Sequence, residues 1–287
     1  MTGAGGPGEP GLPTPRTAEG RAGLTAILAD PGRALIAADF DGTLAPIVAD
    51  PATARADPAA APALRALAGQ VGTLAIITGR PALTAVELGG LAGIPGLIVL
   101  GHYGWEQWQD GQLAAQPSPP GVATARAELP ALLAGAGASD GTWVEDKGHA
   151  LAVHTRRAAD PAAALARVAG PLAALANRTG LRLEPGRLVL ELRPPGTDKG
   201  TALTSLVAKR RCRAILFAGD DLGDLAAFAA VRDLRAAGHP GLTVCSGSAE
   251  VTELAAEADL VVDGPGQVTA LLAALARAVS GSPRPAR

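Results

Sequence analysis

Short apolar runs that alternate with helix-like stretches constrain the fold of this chain more than any other feature. The runs Ala34–Ala38, Leu74–Ile77 and Leu97–Leu100 have the length of buried strands and are too short for buried helices. After residue 200 the pattern returns, with runs at Ala214–Phe217, Leu242–Cys245 and Leu260–Val262. Such alternation is typical of βαβ units. We therefore predict an α/β fold with a Rossmann-like parallel sheet.

Helices are predicted between these runs from capping signals and apolar spacing. Asp57-Pro58 supplies an N-cap and a first-turn proline, and Gly89-Gly90 supplies a stop. The predicted helices run from Asp57 to about Ala68, from Pro81 to Gly90, and over Thr201–Lys209, Leu222–Val231 and Val268–Val279. Their positions on either side of the strands complete the βαβ pattern.

The middle of the chain has a different period. Ala150–Arg156 and Leu188–Arg193 alternate apolar and other side chains, which is typical of antiparallel strands with one buried face. Pro185-Gly186 is a candidate hairpin turn, and Asp160-Pro161 begins a predicted helix that ends near Gly180. We predict an inserted α+β module at 107–194 within a core of 23–106 and 195–280, with a disordered segment at 1–22 and a flexible tail at 281–287.

Composition and charge narrow the class of protein. The formal charge of −2 gives no electrostatic reason to expect nucleic acid or an anionic membrane as a partner. Cys212 and Cys245 have no metal-ligand spacing and read as small buried side chains of a reducing compartment. The first twenty residues lack the apolar core of a signal peptide, and no apolar stretch reaches membrane-helix length. These features predict a soluble, cytoplasmic protein.

The segment Asp39–Leu44, which reads DFDGTL, places two carboxylates at the end of the first predicted strand. Asp39 could attack phosphorus, and Asp41 could move a proton on the leaving oxygen. Acids in this position are often only turn or cap residues, so the pair is weak evidence by itself.

Three further elements occur in an order that suits phosphoryl transfer: Thr78-Gly79-Arg80, Lys199 and the segment Gly219–Asp224. If the preceding strands are neighbours, their side chains meet at one sheet edge. A phosphate group beside several carboxylates is repelled, so the site needs a hard cation, and Mg²⁺ fits. Taken singly, the first element could be an ordinary strand exit and Lys199 could be solvated. The ordered set favours an enzyme.

These four elements resemble the motifs of haloacid-dehalogenase-type phosphatases. Four further segments, in and beside the inserted module, are similar, more specifically, to trehalose-6-phosphate phosphatases, and the resemblance extends over about residues 34–265. The segments that carry it are Gly101–Gly104, Trp143–Gly148, Val153–Arg156 and Glu191–Gly200. It implies hydrolysis of trehalose 6-phosphate to trehalose and phosphate, the last step of trehalose biosynthesis.

The resemblance also implies roles for individual residues. Asp39 would be the nucleophile that forms an aspartyl-phosphate, and Asp41 would be the general acid and base. Thr78 and Lys199 would hold the phosphoryl group. Mg²⁺ would be bound by residues of both acidic segments, namely Asp39, the main-chain carbonyl of Asp41, and Asp220, with Asp221 and Asp224 close by. Substrate would be contacted by Gly42, Gly79, Arg80, His102, Glu145, Lys147, His154 and Glu191.

The sequence departs from the family pattern GDDxTDE at two positions, with Gly223 for the threonine and Leu225 for the glutamate. Two alternatives stay open. One is a related phosphatase of sucrose-, mannosylglycerate- or glucosylglycerol-phosphate type, or a phosphomannomutase. The other is a domain that binds a phosphosugar without chemistry. Whether the chain associates with trehalose-6-phosphate synthase also stays open.

Overall fold

In the computed structural model, which describes residues 11–48, 50–138, 140–186, 188–196, 198–247 and 252–280, two sheets organise the chain. The strands are β1 (Ala34–Ala38), β2 (Thr73–Ile77), β3 (Ile98–Gly101), β4 (Glu106–Gln109), β5 (Gln112–Ala115), β6 (Trp143–Asp146), β7 (Leu151–His154), β8 (Arg182–Gly186), β9 (Val189–Arg193), β10 (Ala214–Gly219), β11 (Gly241–Gly247) and β12 (Leu260–Asp263). The first sheet has the order β12-β11-β10-β1-β2-β3-β4-β5 and the second β6-β7-β9-β8.

The helices alternate with the strands over much of the chain. They are α1 (Ala18–Ala29), α2 (Ala60–Leu67), α3 (Ala82–Gly89), α4 (Pro120–Gly135), α5 (Pro161–Thr179), α6 (Lys199–Arg210), α7 (Leu225–Ala236), α8 (Thr252–Glu257) and α9 (Gly264–Ser280). Within the described residues, none of these helices is both long enough and apolar enough to cross a bilayer.

The first compact unit, residues 1–114 and 198–287, is built on the larger sheet. Strands β12 to β3 are parallel, and β4 adds an antiparallel edge. Both faces of β1 are covered: Ile36 packs in a core with α1, α2, α3 and α9, whereas Leu35 packs in a core with α6, α7 and α8. Burial on two faces explains the continuous apolar run of this strand. The predicted α/β fold with a parallel sheet is confirmed.

The second compact unit, residues 115–197, is an antiparallel sheet with α4 and α5 on one face. Leu151 and Val153 of β7 and Leu190 and Leu192 of β9 form its core with the two helices. These are the apolar members of the alternating patterns, so the period of two identified the buried face correctly. Pro185-Gly186 was predicted as the hairpin turn, but both residues belong to β8, which ends at Gly186.

Two predicted segments differ from the structure. Residues 107–114 were predicted in the inserted module, but Glu106–Gln109 pairs with Ile98–Gly101 and extends the first sheet. Disorder was predicted through residue 22, but α1 begins at Ala18, and the Thr17 side chain accepts a hydrogen bond from Gly20 N. Residues 1–10 and the tail 281–287 lie outside the described residues.

Asp259, just before β12, ties α1 and α7 to β11. Its carboxylate is buried and accepts hydrogen bonds from Thr17, from Arg235, and from the main chain and hydroxyl of Thr243, each of the last two at 2.8 Å. Burial alone would raise its pKa, but these donors together lower the pKa of Asp259 below its usual value. The ionised carboxylate therefore stabilises the fold.

We expect Asp259→Ala to lower the free energy of unfolding at pH 7 by about 3 kcal/mol, because it leaves the buried Thr243 amide without this acceptor and removes the carboxylate partner of the half-buried Arg235, which keeps the Gly241 carbonyl. The stabilisation is fully present above the ordinary Asp pKa of about 3.9 and is lost as pH falls through the lower folded value. Urea unfolding at pH 7 and pH 3 measures both effects. Arg232→Ala, which breaks an exposed pair with Glu257, is the matched control, and an equal loss there would contradict the assignment.

Candidate active site

The sequence-predicted acids meet at the carboxyl ends of neighbouring parallel strands. Strand β1 lies between β10 and β2, in register Ala38 with Ala218 and with Ile76. Asp39 follows β1 directly, Asp220 follows β10, and Thr78 follows β2. Residues 180 positions apart in the chain, such as Ala38 and Ala218, thus pair at the carboxyl ends of two neighbouring strands. Ligands collect at this edge in open α/β sheets.

Three carboxylates form a buried cluster there. One oxygen from each of Asp39, Asp220 and Asp224 lies within 4.8 Å of the others. Lys199, the first residue of α6, is buried among them, with its Nζ 2.9 Å from Asp39 Oδ2 and 2.7 Å from Asp224 Oδ1. The cluster therefore brings together the first, third and fourth predicted motifs.

Three carboxylates surround a single ammonium, that of Lys199, and this excess of buried negative charge raises carboxylate pKa values. Burial raises the pKa of Asp39 well above its usual value; Lys199 opposes this rise and the neighbouring acids add to it. Burial and the charges of Asp224 and Asp221 raise the pKa of Asp220 to about 8. Burial alone would lower the pKa of Lys199, but the surrounding carboxylates raise it, so Lys199 stays charged. A buried excess of negative charge is stabilised by a hard cation with oxygen ligands, and this donor set fits a metal ion.

The turn after β10 holds Asp224 in place. Asp224 Oδ2 accepts hydrogen bonds from the main-chain N–H of Asp220 at 3.0 Å and of Asp221 at 3.2 Å. The Asp221 side chain is exposed and accepts from Gly223 N at 2.9 Å, which makes a reciprocal cap on the short helical turn Leu222–Asp224. Asp221, which the sequence predicted near the metal, thus has its carboxylate on the turn itself, although its charge still acts on Asp220.

Asp41 is held by Arg80. The guanidinium binds both carboxylate oxygens, with Nε 2.7 Å from Oδ2 and Nη2 2.6 Å from Oδ1. The guanidinium carbon of Arg80 also lies 5.7 Å from the centre of the Phe40 ring. Arg80 was predicted near the phosphate, and the structure places it on the predicted general acid and base. A bidentate pair of this kind fixes the orientation of the carboxylate.

Gly42 allows the loop after β1 to approach Asp220. Its φ is +70°, and a Cβ at this position would lie 1.8 Å from Asp220 Oδ2. Two hydroxyls that the sequence did not mark fix the same contact. Ser246 Oγ donates to the Gly42 carbonyl at 2.7 Å, and Thr43 Oγ1 donates to Asp220 Oδ1 at 3.3 Å.

The loop after β2 is packed against the turn after β3. Thr78 is buried, and its Oγ1 accepts a hydrogen bond from Arg80 N at 3.1 Å. The main-chain N–H of Tyr103 donates to the Thr78 carbonyl at 2.9 Å, and that of His102 donates to the Arg80 carbonyl at 3.0 Å. A Cβ on Gly79 would lie 2.6 Å from the Tyr103 hydroxyl, so any other residue there would have to displace the Tyr103 ring. These contacts set the direction of Arg80 toward Asp41.

In the second unit, the predicted substrate residues share one face of the sheet. Glu145 pairs with Ala152, which pairs with Glu191, so these residues form a row across three strands. The residues next to them on β7 and β9 point into the core under α4 and α5. The row therefore lies on the face without helices. Glu184 of β8 continues it, a position that the sequence prediction missed.

The predicted polar side chains on this face are paired. Lys147 Nζ lies 2.7 Å from Glu191 Oε2, and His154 Nε2 lies 2.9 Å from Glu145 Oε2. The His154 ring stacks on Trp143, with ring centres 4.6 Å apart. All four residues predicted in the inserted module thus belong to two neighbouring side-chain pairs on one sheet face, Lys147 with Glu191 and His154 with Glu145.

Comparison with known proteins places this geometry in a family. The model of the trehalose-phosphatase family matches residues 37–264. The chain is 32% identical over 253 residues to a trehalose-phosphate phosphatase of Mycobacterium marinum, covering 84% of this chain and 61% of the relative. It is 37% identical over 207 residues to an uncharacterized glycosyl hydrolase of Mycobacterium tuberculosis H37Rv, covering 68% of this chain and 15% of that protein. The chain thus spans less than two thirds of these relatives.

Solved structures agree on the fold. The C-terminal domain of Candida albicans trehalose-6-phosphate phosphatase superposes with a TM-score of 0.72 at 21% identity, covering 93% of this chain and 99% of that one. A haloacid dehalogenase-like hydrolase of Bacteroides thetaiotaomicron superposes with a TM-score of 0.55 at 16% identity, covering 86% of this chain and 98% of that one. The predicted haloacid-dehalogenase-like fold is confirmed.

Proposed function

The chain belongs to the trehalose-phosphatase family, and we propose that it hydrolyses trehalose 6-phosphate to trehalose and phosphate, the last step of trehalose biosynthesis. The observation that carries the proposal is the buried cluster of Asp39, Asp220, Asp224 and Lys199 at one sheet edge. Such a cluster suits the binding of a phosphoryl group beside a carboxylate nucleophile, because a cation and an ammonium can neutralise both.

In the proposed reaction, an Asp39 oxygen forms a bond to phosphorus as the bond from phosphorus to the sugar oxygen breaks. Asp41 gives its proton to that oxygen, and trehalose leaves. Water then attacks the aspartyl-phosphate, Asp41 takes its proton, and phosphate leaves Asp39. Lys199 neutralises charge on the nucleophile and on the phosphoryl oxygens, and Thr78 binds the phosphoryl group.

The Asp41–Arg80 ion pair bears on both steps. The carboxylate that Arg80 holds in place accepts the proton of water in the second step. In the first step the carboxyl group must carry a proton, so the pair has to loosen when substrate binds. Arg80 is therefore proposed to exchange contacts between Asp41 and the substrate phosphate.

Family membership implies a metal cofactor, and we propose Mg²⁺. Asp39, Asp220 and the main-chain carbonyl of Asp41 are the proposed ligands. Asp224 already accepts hydrogen bonds from Lys199 and from two main-chain N–H groups. It is therefore proposed to contribute negative charge near the ion without binding it directly, and Asp221 is proposed to do the same from the turn. When bound, the ion would neutralise the excess charge of the cluster and of the incoming phosphate.

We propose that the inserted unit is a cap that recognises the sugar. Glu145, Lys147, His154 and Glu191 lie together on the helix-free face of its sheet and offer both donors and acceptors for hydroxyl groups. We also propose that substrate is contacted by three residues of the core, Gly42, Gly79 and His102. A cytoplasmic location and an association with trehalose-6-phosphate synthase also stay predictions.

Phosphate release from a panel of sugar phosphates tests the substrate. We expect trehalose 6-phosphate to give the highest kcat/KM in the presence of Mg²⁺. Sucrose, mannosylglycerate and glucosylglycerol phosphates are the comparisons, and equal or faster turnover of any of them would refute the substrate assignment. No turnover of any phosphate ester by folded, metal-loaded protein would favour the binding-domain alternative.

Lys147→Ala and Glu191→Ala are expected to lower kcat/KM for trehalose 6-phosphate by about 10- to 100-fold, since a hydrogen bond to a charged group is worth about 1.5–3 kcal/mol. Turnover of a small aryl phosphate should change little, because it has no sugar for these residues to bind. Arg126→Ala, which breaks the pair with Asp146 in the same unit, is the control and should affect neither substrate. An equal loss on both substrates would mean that the Lys147–Glu191 pair supports the fold instead.

A further inference from the structure

A cavity of about 380 Å³ lies at the amino ends of the strands of the first sheet. The catalytic acids lie at the opposite, carboxyl ends of these strands. Arg33 immediately precedes β1 and Arg213 immediately precedes β10, and Arg213 N donates to the Arg33 carbonyl at 2.7 Å. His239, two residues before β11, completes this edge of the cavity. The strands run between the two edges, so the cavity lies roughly 20 Å from the acids, the length of a six-residue strand. It is therefore separate from the proposed active site.

The cavity is strongly basic. Arg33, Arg211 and Arg213 line it, together with His239, and none of its lining residues is acidic. Within the described part of the chain, none of these three guanidiniums forms an ion pair. By contrast, several arginines elsewhere in the chain, including Arg80, are paired with carboxylates. Positive charge that is concentrated in a concave site without an internal counter-ion attracts anions.

The end of α6 explains only part of this charge. Lys209 and Arg210 lie in the last turn of α6, and Arg211 caps it with a left-handed φ of 54°. Cations are favoured at this end of a helix because they complement its dipole. Arg213 has no such reason, since it precedes a strand, and Arg33 ends only the single 3₁₀ turn Pro31–Arg33 before β1. Their convergence with Arg211 is what points to a ligand.

The remaining wall of the cavity is apolar. Val207 and Ala208 of α6 and Leu234 of α7 line it, and Thr204 adds one hydroxyl. Guanidinium groups bind phosphate oxygens in a planar, bidentate manner, and an apolar wall suits the organic part of a ligand. We propose that this arginine cavity is a binding site for a small organic phosphate that carries two or more negative charges. The proposal does not depend on the proposed catalytic function.

Calorimetric titration of the full chain with ADP and with inorganic pyrophosphate tests the site. A chelator is present throughout, so that the metal-free catalytic acids repel both probes. We expect ADP to bind more tightly than pyrophosphate, because only ADP has an organic part for the apolar wall. Arg213→Ala should weaken ADP binding by about tenfold or more, and Arg213→Lys should weaken it less.

Lys209→Ala is the matched control, because it removes the same charge from the same basic run but does not line the cavity. It should change ADP affinity by no more than about twofold, since an exposed charge acts through screened water. Arg33→Ala is a second variant on a different element and should repeat the loss seen with Arg213→Ala. All of these side chains are exposed, and thermal melting verifies that each variant is folded.

Three results would overturn the proposal. If neither probe binds below millimolar concentration, the cavity is only a solvated surface and the proposal is refuted. An equal loss for Lys209→Ala and Arg213→Ala would show that net charge attracts the probes and that the cavity does not bind them. Equal affinity for ADP and pyrophosphate would show that the apolar wall contributes nothing to binding and would refute the proposal that the ligand is an organic phosphate.

Discussion

Asp39→Asn is expected to lower the turnover of trehalose 6-phosphate by at least about a thousandfold, because an amide cannot attack phosphorus and no other group can replace the nucleophile. The side chain keeps its shape, so the effect reports chemistry and not packing. Lys199 loses one of its two carboxylate partners but keeps Asp224 at 2.7 Å. Phosphate release by the purified variant at saturating substrate and Mg²⁺ is the measurement.

Asp50→Asn is the control for this substitution, since it makes the same chemical change at an exposed side chain in the first unit. Its turnover should stay within about twofold of the parent, as expected for a surface substitution. Retention of more than a tenth of the activity by Asp39→Asn would exclude Asp39 as the nucleophile. An aspartyl-phosphate that is trapped on the parent chain and absent from the variant would support the assignment independently.

Removal of divalent cations should abolish turnover and lower the thermal midpoint. At a Mg²⁺ concentration one hundred times its Kd, binding stabilises the folded chain by about 2.7 kcal/mol. For a chain of this length, that corresponds to roughly 4–5 °C in Tm. The physical reason is that Asp39, Asp220 and Asp224 are buried together with a single ammonium.

Asp220→Asn separates this explanation from a general effect of salt. In chelator the variant should melt no lower than the parent, because it removes one of the mutually repelling buried carboxylates. With Mg²⁺ it should gain much less than the parent and should show almost no turnover. Asp233→Asn, an exposed acid on α7, should keep the full shift. Equal Mg²⁺-dependent shifts in Asp220→Asn and the parent would place the ion elsewhere.

The sequence predicted those parts of the fold whose pattern is set by burial. The run Ala34–Ala38 coincides with β1 because burial on both faces leaves an uninterrupted apolar run. The helix α1 was missed because two glycines interrupt it and only Leu24, Ile27 and Leu28 mark an apolar face. Gly23 packs against the Gly241 carbonyl, where a Cβ would be 2.0 Å away. The strand β4 was missed because Glu106–Gln109 is mostly polar and lies near the sheet edge.

Site residues that directly follow buried strands were predictable from the sequence. Residues whose role depends on one side-chain hydrogen bond were not. Asp39 and Asp220 follow buried runs, so a parallel sheet brings them together. Ser246 is a lone hydroxyl at the end of β11, and nothing in its neighbourhood indicates that it binds the Gly42 carbonyl. The Arg80–Asp41 pair depends on the direction of two side chains, which spacing along the chain does not encode.

The pairing of β1 with β10 also governs when the acidic cluster can exist. Thr43 and Asp220, which meet in it, are 177 residues apart in the chain. Closing so long a loop costs conformational entropy before any contact across it can compensate, so this pairing belongs to the slow part of folding. A divalent cation can act only after that closure. It would therefore lengthen the lifetime of the folded chain without hastening its formation.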